Sequence, residues 1–146
     1  MSPVRGNGRR LESVLTVDDA WDVQRIVKLS LERVGGIRVH ACMDAQQAME
    51  MARDIAPDLI LLDYVMPEVD GVTLFRRIQA DPVLARIPVV FLTASATQRG
   101  VEELKTLGAA GIVLKPFSVH ELPRQLTEIW ERLHAKASEP DSSPDS

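Results

Sequence analysis

Residues 58–71 read DLILLDYVMPEVDG, a run of aliphatic side chains that ends on the carboxylate of Asp63 and continues into a turn containing proline and glycine. Four aliphatic residues in succession (59–62), followed by turn formers, are typical of a short strand that is covered on both faces. An interior segment therefore presents a charged group at its carboxyl end, and the rest of the chain indicates why.

Strand-length aliphatic runs alternate with segments of helical period five times along the sequence. The predicted strands are 13–17, 37–42, 59–62, 89–93 and 111–114. Four of them are almost entirely aliphatic, which indicates a parallel sheet with helices on both faces. Right-handed crossovers then predict a doubly wound α/β domain, whose ligand site lies beyond the carboxyl ends of the strands.

Start and stop signals bound the predicted helices. The glycine pair 35–36 ends the first helix, Asp44 caps the second, Pro57 prevents its continuation, and Gly108 ends the fourth, about 98–107. Apolar residues recur at mostly helical spacing along the first helix: Trp21, Ile26, Val27, Leu29, Leu31 and Val34. The last helix, about 119–135, tolerates Pro123 only in or near its first turn, and its stripe of Leu122, Leu126, Ile129, Trp130 and Leu133 is expected mainly in the core.

Composition favours one globular domain and excludes several functional classes. The chain has 146 residues, 45% of them apolar, and a net charge of -4, with no basic patch for nucleic acid. No apolar run is long enough to cross a membrane, and a single cysteine suits a reducing cytoplasm. We expect a flexible segment at 1–11, one domain at 12–135 and a disordered acidic tail at 136–146.

The predicted strand ends carry polar groups that converge on one edge of the sheet: Asp18, Asp19, Asp63, Thr93 and Lys115. A single polar residue at a strand end is most often a cap or turn former, so only the coincidence is informative. Carboxylates in one cleft repel each other unless a cation neutralises them, and Mg²⁺ suits such a site. Asp63 is then placed to attack phosphorus and form an acyl phosphate.

Four segments carry a resemblance that covers about 120 residues: VDD (17–19), LLDYVMPEVDG (61–71), VVFLTAS (89–95) and GIVLKPF (111–117). In order and spacing the chain resembles the receiver domain of two-component response regulators. The resemblance implies a flavodoxin-like or CheY-like fold, with five parallel strands in the order 2-1-3-4-5.

The resemblance also implies roles for individual residues. Asp63 becomes the phosphoacceptor, Thr93 and Lys115 contact the phosphoryl group, and a cis peptide bond precedes Pro116. The implied metal is Mg²⁺, with Mn²⁺ as an alternative. Its implied ligands are Asp19 directly, Asp18 largely through water, Asp63 and the backbone carbonyl of Val65.

The chain departs from the family at three places. Ile112 stands where relatives usually carry a tyrosine or phenylalanine that turns inward, so another side chain or the loop after Thr93 would report phosphorylation. Ala20 replaces a residue that is often acidic or polar. Val65 and Ser95 offer no amide or carboxylate to orient an attacking water, which predicts slow loss of the phosphoryl group.

The leading hypothesis is a single-domain response regulator, a phosphoacceptor rather than an enzyme, with weak intrinsic aspartyl-phosphate hydrolysis. Its expected partners are a histidine kinase or histidine phosphotransfer protein and a downstream protein target, and it is expected to be a monomer or a phosphorylation-dependent homodimer. Three alternatives stay open. They are a phosphorelay intermediate, an interaction module that is not phosphorylated, and a metal-dependent phosphatase, which Val65 disfavours because that chemistry wants a second acid there.

Overall fold

The computed structural model describes residues 10–65, 70–94 and 97–138, with side chains up to residue 135. Its strands are β1 (Ser13–Val17), β2 (Arg38–Cys42), β3 (Leu59–Asp63), β4 (Val89–Thr93) and β5 (Gly111–Leu114). Its α-helices are α1 (Trp21–Leu29), α2 (Ala48–Ile55), α3 (Gly71–Ala80), α4 (Gln98–Leu107) and α5 (Leu122–Ser138). The described chain contains no helix that is long and apolar enough to cross a membrane.

The strands form one parallel sheet in the order β2-β1-β3-β4-β5, which confirms the predicted fold. The register pairs Val17 with both Cys42 and Leu62, and Asp63 with Leu92. The carboxyl ends of the strands therefore meet at one edge, where the chain leaves the sheet for the next helix.

Each face of the sheet packs against its own set of helices. Alternate strand residues point to opposite faces, so Ile60 and Leu62 belong to a core cluster with residues of α2, α3 and α4. Leu59 and Leu61 belong to a second cluster with residues of α1 and α5. Burial of both faces explains why the central strand reads as a continuous aliphatic run.

Only two of the six apolar residues that marked the first helix in the sequence are buried. Val27 and Leu31 are buried, whereas the other four side chains are exposed: Trp21, Ile26, Leu29 and Val34. Gln24 and Ser30 are buried instead. The helix also widens into a π-helical turn at Ser30–Val34 before it ends at Gly35. Helical spacing therefore identified a helix but not the face that packs on the sheet.

Several element boundaries differ from the prediction. Leu11, the last residue of the expected flexible segment 1–11, is buried in the cluster with α1 and α5. Helix α5 starts at Leu122, later than expected, and Pro123 is its second residue. The helix continues to Ser138, three residues past the expected boundary. Asp44 caps a short 3₁₀ turn that leads into α2. The rest of the two expected flexible ends, 1–9 and 139–146, lies outside the described residues.

Candidate functional site

The carboxyl edge of the sheet gathers the acidic residues that the sequence analysis selected. Carboxylate oxygens of Asp18, Asp19 and Asp63 lie within 4.8 Å of one another. Asp18 and Asp19 follow β1, and Asp63 is the last residue of β3, the neighbouring strand. Asp18 and Asp63 are buried, while Asp19 is exposed. Three like charges at this spacing repel one another strongly unless a cation lies among them.

Asp18 is the least solvated of the three carboxylates, with 3% of its surface exposed. Its Oδ1 accepts a hydrogen bond from Ala20 N at 2.9 Å. Its Oδ2 is buried and forms no hydrogen bond. Burial raises the pKa of the Asp18 carboxyl, the hydrogen bond from Ala20 opposes that rise, and the nearby charge of Asp63 adds to it. Asp18 Oδ2 therefore has an ion pair with Lys115, at 3.5 Å, but no hydrogen bond.

Lys115 supplies the positive charge at this edge. Its Nζ lies 3.2 Å from Asp63 Oδ1 and 3.5 Å from Asp18 Oδ2. One ammonium therefore contacts the carboxylate that ends β3 and the carboxylate that follows β1. The backbone N of Lys115 donates to Thr93 O at 2.8 Å, which ties the end of β5 to the end of β4. The Lys115–Pro116 peptide bond is cis, as the resemblance implied.

The backbone after Asp63 is held closely on two sides. Tyr64 N donates to Leu92 O at 3.0 Å, and Gly71 N donates to Tyr64 O at 3.0 Å. A Cβ atom on Gly71 would lie 2.4 Å from Asp63 O and 3.0 Å from Tyr64 Cα. Only glycine therefore allows α3 to begin this close to the phosphoacceptor candidate. Val65, two residues after Asp63, is 70% exposed. Its side chain offers neither an acid nor an amide beside the Asp63 carboxylate.

A cavity of about 310 Å³ lies beside Thr93, on the face of the sheet covered by α4. Tyr64, Val65 and Ile112 contribute to its walls, together with residues of α4 and of the segment before it: Thr97, Gly100, Val101 and Leu104. The Tyr64 ring packs edge-on against Phe91, with 5.9 Å between centroids. Thr93 thus lies between the acidic cluster and an open, mostly apolar space. Ser95, which was expected to influence hydrolysis, lies outside the described residues.

A buried glutamine, Gln24 in α1, also contacts this edge, and the sequence analysis did not select it. Its amide bridges the carboxyl ends of β1 and β2 directly below Asp18. The signal in the sequence was its spacing, because Gln24, Val27 and Leu31 share one face of the helix at i, i+3 and i+7.

Comparison with known proteins places this arrangement in a family. The family model described as the response regulator receiver domain matches residues 14–127, which is most of the chain. The chain belongs to the response regulator receiver domain family. The match lies inside the predicted boundaries 12–135, although the exact limits of the domain stay a prediction.

Relatives of this receiver domain occur alone and as part of longer proteins. It is 33% identical over 120 residues to chemotaxis protein CheY-3 of Vibrio cholerae, covering 82% of this chain and 92% of CheY-3. It is 33% identical over 124 residues to the phosphate regulon transcriptional regulatory protein PhoB of Pseudomonas aeruginosa, covering 83% of this chain. The matched region is only 52% of PhoB, so this chain corresponds to about half of that relative.

Solved structures support the same fold. The structure of Vibrio cholerae chemotaxis protein CheY4 matches with a TM-score of 0.75 at 26% sequence identity. The match covers 82% of this chain and 98% of CheY4. The receiver fold is therefore shared along almost the full length of CheY4.

The residues of this receiver domain fit the Mg²⁺ that its family generally binds. The available donors are carboxylate oxygens, the hard ligands that Mg²⁺ prefers. Asp18 Oδ2 is buried, makes no hydrogen bond and has only the Lys115 ammonium at 3.5 Å, so it is available to a metal cation. Three carboxylates beside one ammonium also leave excess negative charge for a divalent ion to offset.

Proposed function

We propose that this receiver domain takes a phosphoryl group on Asp63 from a phosphohistidine of a partner protein, in a reaction that depends on Mg²⁺. The observation that carries the proposal is the placement of Asp63, a buried strand-end carboxylate in contact with Lys115 and close to two further carboxylates. That placement would bring a nucleophile, a lysine ammonium and carboxylate oxygens able to bind a metal into one cleft.

In the proposed step, an oxygen of the Asp63 carboxylate attacks phosphorus and forms an O–P bond. The N–P bond of the phosphohistidine breaks, and its electron pair returns to the imidazole nitrogen, which then takes a proton from solvent. Asp63 needs no general base, because the attacking carboxylate oxygen has no proton to remove. Phosphoryl transfer depends chiefly on positioning and on neutralising charge, and the cleft supplies both.

Each neighbouring group has a defined part in the proposal. Lys115 moves from pairing with carboxylates to pairing with a phosphoryl oxygen, as a mobile point charge can. Thr93 donates its hydroxyl hydrogen to a second phosphoryl oxygen. Asp18, Asp19, Asp63 and the Val65 carbonyl would hold Mg²⁺, which when bound offsets negative charge on the transferring group.

The proposed outcome of phosphorylation is a conformational signal to a protein partner. Support comes from the 310 Å³ cavity beside Thr93, because movement of Thr93 toward the phosphoryl group changes one wall of that space. Ile112 is too small to fill it, so Tyr64 or the segment after Thr93 is the proposed moving part. The protein would act in the cytoplasm, as a monomer or as a phosphorylation-dependent homodimer.

A phosphorelay intermediate uses the same site and differs only in the fate of the phosphoryl group. It would return the group to a second histidine instead of signalling by shape. The phosphatase alternative is less well supported, because Val65 provides no acid for a leaving group. The proposal accordingly treats the protein as a phosphoacceptor with weak intrinsic hydrolysis.

The experiment that tests the proposal is intact-mass measurement after incubation with a small phosphodonor. The native chain is expected to gain one phosphoryl group with Mg²⁺ and none with a chelator. Asp63→Asn is expected to gain none under either condition. Asp81→Asn is the matched control, because Asp81 pairs with Arg53 at 2.6 Å outside the acidic cluster and should not affect uptake.

A folded native chain that gains no phosphoryl group from the donor would contradict the proposal and favour an interaction module that is not phosphorylated. Uptake by Asp63→Asn at the native rate would show that another residue is the acceptor. Folding of each variant is checked by circular dichroism before the reaction.

A further inference from the structure

The side chain of Gln24 is buried beneath the acid pair, with 4% of its surface exposed. Its Nε2 donates to three backbone carbonyls, Thr16 O at 3.1 Å, Asp18 O at 3.1 Å and Cys42 O at 3.0 Å. Its Oε1 accepts a hydrogen bond from the Thr16 hydroxyl. Both ends of the amide are therefore satisfied, as a buried polar group requires.

The three carbonyls determine which way the amide faces. Because a carbonyl can only accept, the amide nitrogen must face them, and Oε1 is left to accept from the Thr16 hydroxyl. A primary amide nitrogen carries two hydrogens, so three acceptors at similar distances share two donors. The amide thus binds the ends of β1 and β2 together at a single point.

Further hydrogen bonds connect this point to the acidic residues. Asp18 N donates to Cys42 O at 3.1 Å, the same carbonyl that Gln24 contacts. Ala20 N donates to Asp18 Oδ1 at 2.9 Å, and Gln24 N donates to Ala20 O at 3.0 Å. The peptide units on both sides of Asp18 are therefore restrained, one by Cys42 and the other by the Gln24 amide.

That restraint acts against a repulsive force. The carboxylates of Asp18, Asp19 and Asp63 lie within 4.8 Å of one another, and Lys115 neutralises only part of their charge. Without a fixed backbone, the segment after β1 would relax away from Asp63 and separate the three groups. A neutral amide can restrain this segment without adding another charge to the cleft.

We propose that Gln24 is a positioning residue that holds the backbone of Asp18 and Asp19, so that their carboxylates stay close to Asp63 for a divalent cation. The part of this inference that concerns Mg²⁺ rests on the proposed function. The part that concerns the backbone is independent of it. Residues that orient metal ligands from behind typically change metal affinity by roughly 10–100-fold when replaced.

Three variants test the inference. Gln24→Met keeps the length of the side chain and removes its donors and acceptor. Thr16→Val removes only the hydroxyl that donates to Gln24 Oε1. Gln79→Met is the matched control, because Gln79 Nε2 also donates to a backbone carbonyl, Leu107 O at 2.7 Å, but joins α3 to α4.

The first readout uses metal-free protein and no phosphodonor. Amide hydrogen exchange at Asp18 and Ala20 is expected to be at least about tenfold faster in Gln24→Met than in the native chain. Thr16→Val should show a smaller increase, and Gln79→Met none at these positions. A role limited to packing α1 on the sheet would instead raise exchange along the whole of α1.

The second readout is Mg²⁺ affinity, followed by the fluorescence of Trp21, an exposed residue two positions after Asp19. We expect the dissociation constant to rise about tenfold in Gln24→Met, about threefold in Thr16→Val and not at all in Gln79→Met. At saturating Mg²⁺, Gln24→Met should again take up a phosphoryl group on Asp63. Weaker Mg²⁺ binding together with recovered phosphoryl uptake at saturating Mg²⁺ indicates a positioning role. A misfolded variant would not recover uptake.

Native exchange and native Mg²⁺ affinity in a folded Gln24→Met would overturn the inference. If Gln24→Met does not fold, Thr16→Val decides the question by the same two measurements. A native chain that binds Mg²⁺ but takes up no phosphoryl group would refute the proposed function, while the dependence on Gln24 would still support this inference. A native chain that binds no Mg²⁺ would overturn the proposed function and the metal part of this inference, and the exchange measurement would then decide the part that concerns the backbone.

Discussion

The two halves of the acidic cleft are built differently. In the β1–β3 half, Gln24 Nε2 and Asp18 N both donate to Cys42 O at the end of β2. Gly71 lies so close to the backbone of Asp63 and Tyr64 that a methyl group has no room. In the β4–β5 half, Thr93 borders a cavity of about 310 Å³ beside Ile112. One half holds charges in place, and the other has space into which side chains can move.

This difference separates two requirements of a switch. Preorganised charge binds a cation and a phosphoryl group without reorganisation at the moment of reaction. A conformational response needs an element with two arrangements of similar free energy, which a fully packed region does not provide. The following predictions test whether the two halves have these different properties, in order of decreasing expected effect.

Gly71→Ala should have the largest effect, because the new Cβ would lie 2.4 Å from Asp63 O in the β1–β3 half. Overpacking of this kind typically lowers the free energy of unfolding by about 1–3 kcal/mol. The control is Gly100→Ala in the β4–β5 half, where the nearest atom is Thr97 Oγ1 at 3.2 Å.

In Gly100→Ala, the new methyl group crowds the Thr97 side chain that caps α4. This cost offsets the gain in helix propensity of about 1 kcal/mol that alanine gives over glycine. The free energy of unfolding of Gly100→Ala should therefore differ from the native value by less than about 0.5 kcal/mol. Urea denaturation measures both variants. Equal losses at the two glycines would show that the halves do not differ in packing.

Val65→Asn should shorten the lifetime of the phosphoryl group about tenfold, equivalent to about 1.4 kcal/mol in the barrier. The native valine is exposed beside Asp63, and an amide there can orient an attacking water. The decay of the phosphorylated mass with time measures the effect. Val83→Asn, another exposed valine outside the cleft, should decay at the native rate, and a short native lifetime would contradict the expected slow hydrolysis.

Asp18→Asn should raise the free energy of unfolding of metal-free protein at neutral pH. Burial raises the pKa of the Asp18 carboxyl in the folded chain, so the folded state binds more protons than the unfolded state between the ordinary and the raised pKa. The free energy of unfolding therefore falls as pH rises through that window, and the ionised carboxylate lowers stability above it.

Thermal denaturation with and without Mg²⁺ checks the prediction for Asp18→Asn. Without metal, Asp18→Asn should melt at a higher temperature than the native chain at pH 7 and at a similar temperature below the ordinary pKa. With Mg²⁺, the native chain should gain stability and the variant should gain much less. A variant that is less stable in metal-free buffer at pH 7 would contradict the sign derived for Asp18.

Ile112→Phe should have the smallest effect, a change in the free energy of unfolding of less than about 1 kcal/mol, because the larger ring can enter the neighbouring cavity. Val113→Phe is the matched control on the same strand. Val113 is fully buried on the opposite face, where an added ring should cost about 1–3 kcal/mol. Similar losses at both positions would mean that the cavity cannot accept a side chain.

The sequence predicted the strand-end residues well because parallel strands share one carboxyl edge. Asp18, Asp63 and Lys115 were selected from that rule, and the structure brings them within salt-bridge distance. Their chemical roles remain predictions until the phosphorylation experiment is done. The fold followed from the same reasoning, since buried parallel strands leave a continuous aliphatic signature.

Helix α1 shows what the sequence did not reveal. Two apolar faces can be drawn on it, and the larger side chains, among them Trp21 and Leu29, lie on the exposed one. The buried face carries Gln24 instead, whose partners come from β1 and β2. A polar residue is recognised as a core residue only once the carbonyls that it contacts are known, and those are distant in the sequence.

The strand order has a consequence for how the chain reaches this structure. Val14 of β1 pairs with Leu59 of β3, 45 positions later in the sequence, while its other neighbour in the sheet is Val39. Such pairings between distant segments make folding slow compared with that of helical proteins of similar size. The acid pair after β1 meets Asp63 only when β1 pairs with β3, so formation of the cleft requires closing the long loop between these two strands.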